Sequence, residues 1–245
     1  GTRTTQVVPS IRSENGSLLS RSHEIAEAFA DFYRTLYASG RRPQAELDRP
    51  LVRDFALPRL EGTESSNLEA PISLEEVSRA VREIKPGKTP GPDGLPAEFY
   101  RSFDETLSPY LLASFTEAIE NAAFPSEVNL ATIVVLHKAG LPPERCSSYR
   151  PISLINSELK IFARILATRL LGAIPNLVHP DQCGFMPSRS TRHCIRRLHL
   201  AMAGLDGLGG SRALLLIDFE KAFDTVDWGY LDILLEKLGF GPYFR

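Results

Sequence analysis

Cysteine is scarce in this 245-residue chain: Cys146, Cys183 and Cys194 are the only three, and none are in Cys-x-x-Cys spacing. That excludes a small disulfide-stapled fold and a paired-cysteine zinc motif. The expectation is three reduced thiols in an intracellular compartment, nucleus or cytoplasm. His179, Cys183, His193 and Cys194 fit no zinc-ligand spacing either. Long apolar runs are also missing. The longest, Leu130–Leu136 broken by Thr132 and Ala213–Ile217, fall far short of the roughly 20 residues a helix needs to cross a bilayer. The opening Gly1-Thr2-Arg3 has no Met and no charged start leading into an apolar core, so no signal peptide is expected. No internal repeat or low-complexity tract occurs.

With 43% hydrophobic and 24% charged residues, the chain can build one large or two small domains with buried cores. Its net charge of −2 argues against a polyanionic partner, but the charge is unevenly spread. Residues 136–212 hold eleven Lys or Arg against four Asp or Glu, net +7, whereas residues 1–135 are net −6 and 213–245 net −3. Such a block is either a solvated face or a surface for phosphates.

Periodicity outlines the elements. Ile25, Phe29, Phe32 and Leu36 mark a helix over 22–37, and 39–68 reads as a long surface connection. Ser73 and Glu76 form a capping-box pattern ahead of Leu74, Val77, Val81 and Ile84. Residues 85–94, with three prolines and three glycines, can only be loop. Gly87-Lys88-Thr89 resembles the end of a nucleotide-binding P-loop, but Arg82 stands where that motif needs Gly. A helix is expected over 97–121, interrupted near Pro109.

The β-branched run 131–137 and its return over 148–153 predict a hairpin closing around residue 144, with Lys138 and Arg150 near one another. An amphipathic helix follows over 158–174, with Pro175 just past its end. Ala213–Ile217 reads as a strand buried on both faces and ending in Asp218, a position suited to a Mg²⁺ ligand. Asp227 then caps a helix carrying Leu231, Leu234, Leu235 and Leu238, and Asp224 is expected to brace that helix.

The run from Leu214 to Asp224, Leu-Leu-Leu-Ile-Asp-Phe-Glu-Lys-Ala-Phe-Asp, resembles the first palm motif of non-LTR (LINE-type) retrotransposon reverse transcriptases. Three further motifs stand upstream in family order: Pro86 to Pro96, Tyr149-Arg150-Pro151-Ile152-Ser153-Leu154 after Lys138, and Gln182-Cys183-Gly184-Phe185 leading to Arg189-Ser190-Thr191. The Asn15-Gly16 turn and following helix are similar to the segment preceding the polymerase in these elements.

The resemblance implies an α+β right-hand polymerase fold, helix-rich with short strands. Residues 1–70 would be an N-terminal extension, 71–210 the fingers and start of the palm, and 211–245 the first palm motif with its helix. It implies that Asp218 is a catalytic carboxylate and a ligand of two Mg²⁺ ions in RNA-directed DNA synthesis. It assigns nucleotide binding to Lys138, Arg150, Lys221, Ala222 and Phe223, with Phe223 against the sugar, and template binding to Gln182, Gly184, Phe185 and Arg189. Arg192, Arg196 and Arg197 would track phosphates. The implied partners are an RNA template, a DNA primer and deoxynucleoside triphosphates, with no membrane.

The family's Ala-Asp-Asp motif is absent, since no Asp-Asp pair occurs. The palm is therefore expected to be incomplete, the thumb missing, and the chain alone inactive. Ser188 stands where the family often has Gly, and His193 where an acidic residue is common. The alternative readings are a non-catalytic nucleic-acid-binding module and a decayed retroelement remnant.

Overall fold

The structure, a computed structural model, describes residues 7–13, 15–38, 56–206 and 213–245. They form two compact units that interleave in sequence, one from residues 1–41 and 71–165, the other from 42–70 and 166–245. The described elements are mostly helices, with four short strands.

In the first unit, β1 (Ile11–Arg12) pairs antiparallel with β2 (Leu18–Leu19). Helix α1 (Ser22–Ala38) buries Ile25, Phe29 and Tyr33, with Phe32 and Leu36 at the margin of the same cluster. Ile11 and Tyr149 complete that cluster.

A second core gathers α3 (Leu74–Glu83), α4 (Ala97–Ser102) and α5 (Asp104–Glu120) around Val77, Val81 and Phe115, all fully buried. The capping box at α3 forms on both sides. Ser73 Oγ accepts from Glu76 N at 3.3 Å, and Glu76 Oε2 accepts from Ser73 N at 2.9 Å. The helical stretch after residue 97 breaks at Phe103, not near Pro109. Asp104 restarts the chain there: its carboxylate accepts from Ser108 Oγ at 2.6 Å and Ser78 Oγ at 2.7 Å, anchoring the first turn of α5. Pro109 forgoes one backbone bond inside α5 without interrupting it.

Strands β3 (Ala131–His137) and β4 (Tyr149–Ile155) form an antiparallel hairpin of seven residue pairs. Its register is two residues tighter than expected. Leu136 faces Arg150, Lys138 N donates to Ser148 O at 2.8 Å, and a 3-10 turn at Cys146–Ser148 leads into the return strand at Tyr149.

Helix α6 (Ser157–Leu177) contributes its first half to this unit through the buried Ile161 and Ile165, and its second half to the other unit. It runs on through Pro175, one helical bond forgone, and Leu177 packs on the second unit's core.

That core buries Leu60, Leu68, Ala173 and Phe240 against Leu235 of α8 (Trp228–Lys237) and its C-cap residue Leu238. The long connection expected over 39–68 is thus corrected in its second part: α2 (Thr63–Glu69) is a helix, and Leu60 and Leu68 are core. Residues 39–55 lie outside the described residues. The Glu69 carboxylate accepts from the backbone N–H groups of Tyr243 (3.0 Å) and Phe244 (3.2 Å), fixing the segment after α8. As expected, Asp227 caps α8, its Oδ1 accepting from Tyr230 N at 3.0 Å. The cap is Asp227 alone; the Asp224 N–H closes a turn onto Lys221 O at 2.9 Å.

The largest departure is Ala213–Ile217. It is not a buried strand: Leu214, Leu215, Leu216 and Ile217 are 55 to 81% exposed, and no described strand pairs with them. An apolar strand is buried only when neighbours take up its backbone N–H and C=O groups on either side, and both described sheets are two-stranded pairs elsewhere. No described helix is long and apolar enough to cross a membrane.

Candidate functional site

Side chains two apart on a strand share a face, so the β3–β4 register puts Lys138 and Arg150 on one face as diagonal neighbours. Val134, Leu136 and Ile152 lie on that face, each 40 to 43% exposed, making an apolar strip that ends in two cations. Arg150 is exposed. Lys138 is half-buried and donates from Nζ to Ser147 O at 3.0 Å.

The Pro/Gly-rich loop rests on the start of α6. A Cβ on Gly91 would overlap Asn156 Oδ1 and stand 2.6 Å from the Ile155 carbonyl carbon, so only glycine fits. Asn156 Oδ1 accepts from Asp93 N at 3.3 Å, and Ser157 Oγ donates to Leu95 O at 2.8 Å. Residues 87–90, Pro96 and Glu98 line a cleft of about 490 Å³. The Gly87 N–H, 2.6 Å from Glu98 Oε1, holds that carboxyl below the usual carboxylate range. Asn156 escaped the sequence reading; an Asn just ahead of an amphipathic run was its only signal.

In the second unit, residues 179–194 fold back on themselves. Cys183 and Cys194 are disulfide-bonded, which corrects the expectation of three free thiols; only Cys146 is free. The link forms because the Gln182–Phe185 turn and the first turn of α7 (Thr191–Asp206) bring the two Cα atoms to 6.7 Å. Arg189 Nη1 donates to His179 O at 2.8 Å and Gln182 O at 3.0 Å, and Gln182 Nε2 donates to Gly184 O at 3.2 Å. Arg197 pairs with Asp181.

Ser188 has φ +61°, a left-handed conformation that penalises any Cβ. Glycine, with no Cβ, would take this conformation without that penalty. Ser188→Gly is expected to raise unfolding free energy by about 0.5–1 kcal/mol. Denaturant titration of both proteins checks this, and an unchanged or lower midpoint would contradict it.

Asp218 is exposed and has no ion pair among the described residues. The chain then turns: Lys221 has φ +50°, and its carbonyl accepts from Asp224 N (2.9 Å) and Thr225 N (3.1 Å). Ala222 is exposed, as is Phe223 at 87%. The Phe223 ring stands edge-on to that of Phe185, itself 88% exposed, with centroids 6.1 Å apart. Two separate motifs thus meet at a pair of solvent-facing aromatics.

Among the described residues, no three His, Cys, Asp or Glu gather into a set able to hold a metal ion. Asp218 offers one hard anionic oxygen donor, the right chemistry for Mg²⁺ but not a complete site.

Residues 136–243 match the family profile described as reverse transcriptase (RNA-dependent DNA polymerase). Over 238 residues the chain is 31% identical to an uncharacterized 149 kDa protein of transposon TX1 from Xenopus laevis, covering 95% of this chain and 17% of that protein. It is 29% identical over 238 residues to a probable RNA-directed DNA polymerase from transposon BS of Drosophila melanogaster, covering 96% and 26%. With a Pol polyprotein from the type-1 retrotransposable element R1 of Bradysia coprophila it shares 32% identity over 171 residues, covering 67% and 16%. The chain therefore spans only a sixth to a quarter of the length of these relatives. It belongs to the reverse transcriptases of non-LTR retrotransposons.

Proposed function

We propose that this chain is the nucleotide- and template-binding part of an RNA-directed DNA polymerase. Its fold would be the fingers and the start of the palm of a right-hand polymerase, with 71–210 as fingers and early palm and 211–245 as the first palm motif. The observation that carries the reading is the paired cations at the end of the apolar strip on the β3–β4 hairpin. A deoxynucleoside triphosphate needs such a surface: apolar area for base and sugar, and charge for phosphates. Arg150 supplies a fork of donors to phosphate oxygens, and Lys138 a point charge.

Phe223, with Lys221 and Ala222, would face the nucleotide's sugar and phosphates. Gln182, Gly184 and Phe185 would meet the template. Arg189, whose guanidinium already bonds two carbonyls of its own loop, would act by shaping that loop. Asp218, with carboxylates from elsewhere in the full-length protein, would hold Mg²⁺, which supplies charge neutralisation at the reacting phosphate when bound. The setting would be intracellular, where an RNA template, a DNA primer and nucleotides are available.

The test is steady-state primer extension on an RNA template by the full-length protein. Lys138→Ala and Arg150→Ala are each expected to raise KM for the deoxynucleoside triphosphate about tenfold, the loss of one charge-assisted contact, with primer–template affinity unchanged. An unaltered KM in both variants would overturn the assignment.

A further inference from the structure

The β3–β4 turn that carries Lys138 is held from the N-terminal segment, and one of the ties, Arg12 to Glu144, joins two residues outside the quoted motifs. Arg12 N donates to Glu144 O at 2.7 Å, and Arg12 Nη2 pairs with Glu144 Oε2 at 2.6 Å, the two side chains being 51% and 42% exposed. The Phe29 ring of α1 stands edge-on to Tyr149 at 5.1 Å, and Cys146 Sγ donates to Ala28 O at 3.8 Å. Tyr149 Oη donates to Pro143 O at 2.8 Å. Ser147, whose carbonyl holds Lys138 Nζ, lies between Cys146 and the Tyr149 anchor. The turn that places the ammonium is therefore tied at Glu144, Cys146 and Tyr149 to residues 11–29.

The geometry points to Arg12 and Glu144 as positioning residues for nucleotide binding: the β1–β2 segment fixes the turn so that Lys138 and Arg150 present their charges together. This rests on the nucleotide reading above. A loosened turn would let Lys138 sample positions away from the phosphates, weakening nucleotide affinity while the reacting groups stay as they were. The signature is a rise in KM without a matching fall in kcat.

Primer extension by the full-length protein tests it. Arg12→Glu sets two carboxylates against each other and is expected to raise the nucleotide KM about fivefold, with kcat within about twofold. Glu144→Arg should do the same, and the double swap Arg12→Glu with Glu144→Arg should restore KM to within about twofold. If Lys138→Ala raises KM but Arg12→Glu does not, the positioning role is overturned and the nucleotide reading stands. If neither Lys138→Ala nor Arg150→Ala moves KM, the nucleotide reading fails first. Should the single swaps lower thermal stability and kcat together, failure of the double swap to restore KM overturns the inference.

Discussion

Phe115→Ala is expected to cost the first unit about 3–5 kcal/mol. Phe115 is fully buried at the centre of the core shared by α3, α5 and the start of α6. Its ring meets Phe162 at 5.2 Å and stands edge-on to Phe124 at 6.2 Å, so truncation removes both aromatic contacts and opens a cavity that two helices border. Domains of this size have only about 5–15 kcal/mol to lose. The variant should therefore unfold at much lower denaturant concentration than the parent with an unchanged slope, measured by circular dichroism. A loss under about 1 kcal/mol would mean this cluster does not hold the unit together.

That core was legible because its rules are local. The stripe of Leu107, Leu111, Phe115 and Ile119 repeats every four residues, and all four are buried in, or pack on, the core. The Ser73 capping box and the Asp227 cap needed only a side-chain oxygen a few residues from free backbone N–H groups. The hairpin was visible in its β-branched run, but its register was not. Closure at a midpoint assumes a regular turn, whereas the chain passes through a 3-10 turn at Cys146–Ser148, beside which Tyr149 packs against Phe29, more than a hundred positions away in sequence.

The misses share a cause. A strand exists by its partners, and Leu214–Ile217 carries the composition of a buried strand with no described strand to pair with. Cysteine spacing says nothing about a turn that folds Cys183 back on Cys194. Leu60 and Leu68, set among charged and polar residues, looked like surface because the residues packed with them come from 170 to 244. The motif residues were found by resemblance. Their settings came from the structure: the shared face of Lys138 and Arg150, the Phe185 and Phe223 rings, and the occupied Arg189 guanidinium.

The largest functional effect is expected at Asp218. Its side chain is exposed and has no ion pair among the described residues, so no described contact of the fold depends on its charge. Asp218→Asn keeps the shape and removes the anionic oxygen, which separates chemistry from architecture. The thermal midpoint should stay within about 1 °C, and affinity for the RNA–DNA primer–template should be unchanged.

Nucleotide incorporation should fall about 10³-fold or more, the several kcal/mol expected of a carboxylate at the reacting phosphate. Single-turnover primer extension on an RNA template, run with the full-length protein and its Asp218→Asn variant at saturating nucleotide, decides the matter. The parent should incorporate nucleotide and the variant essentially none. Equal rates in the two proteins would contradict this role of Asp218.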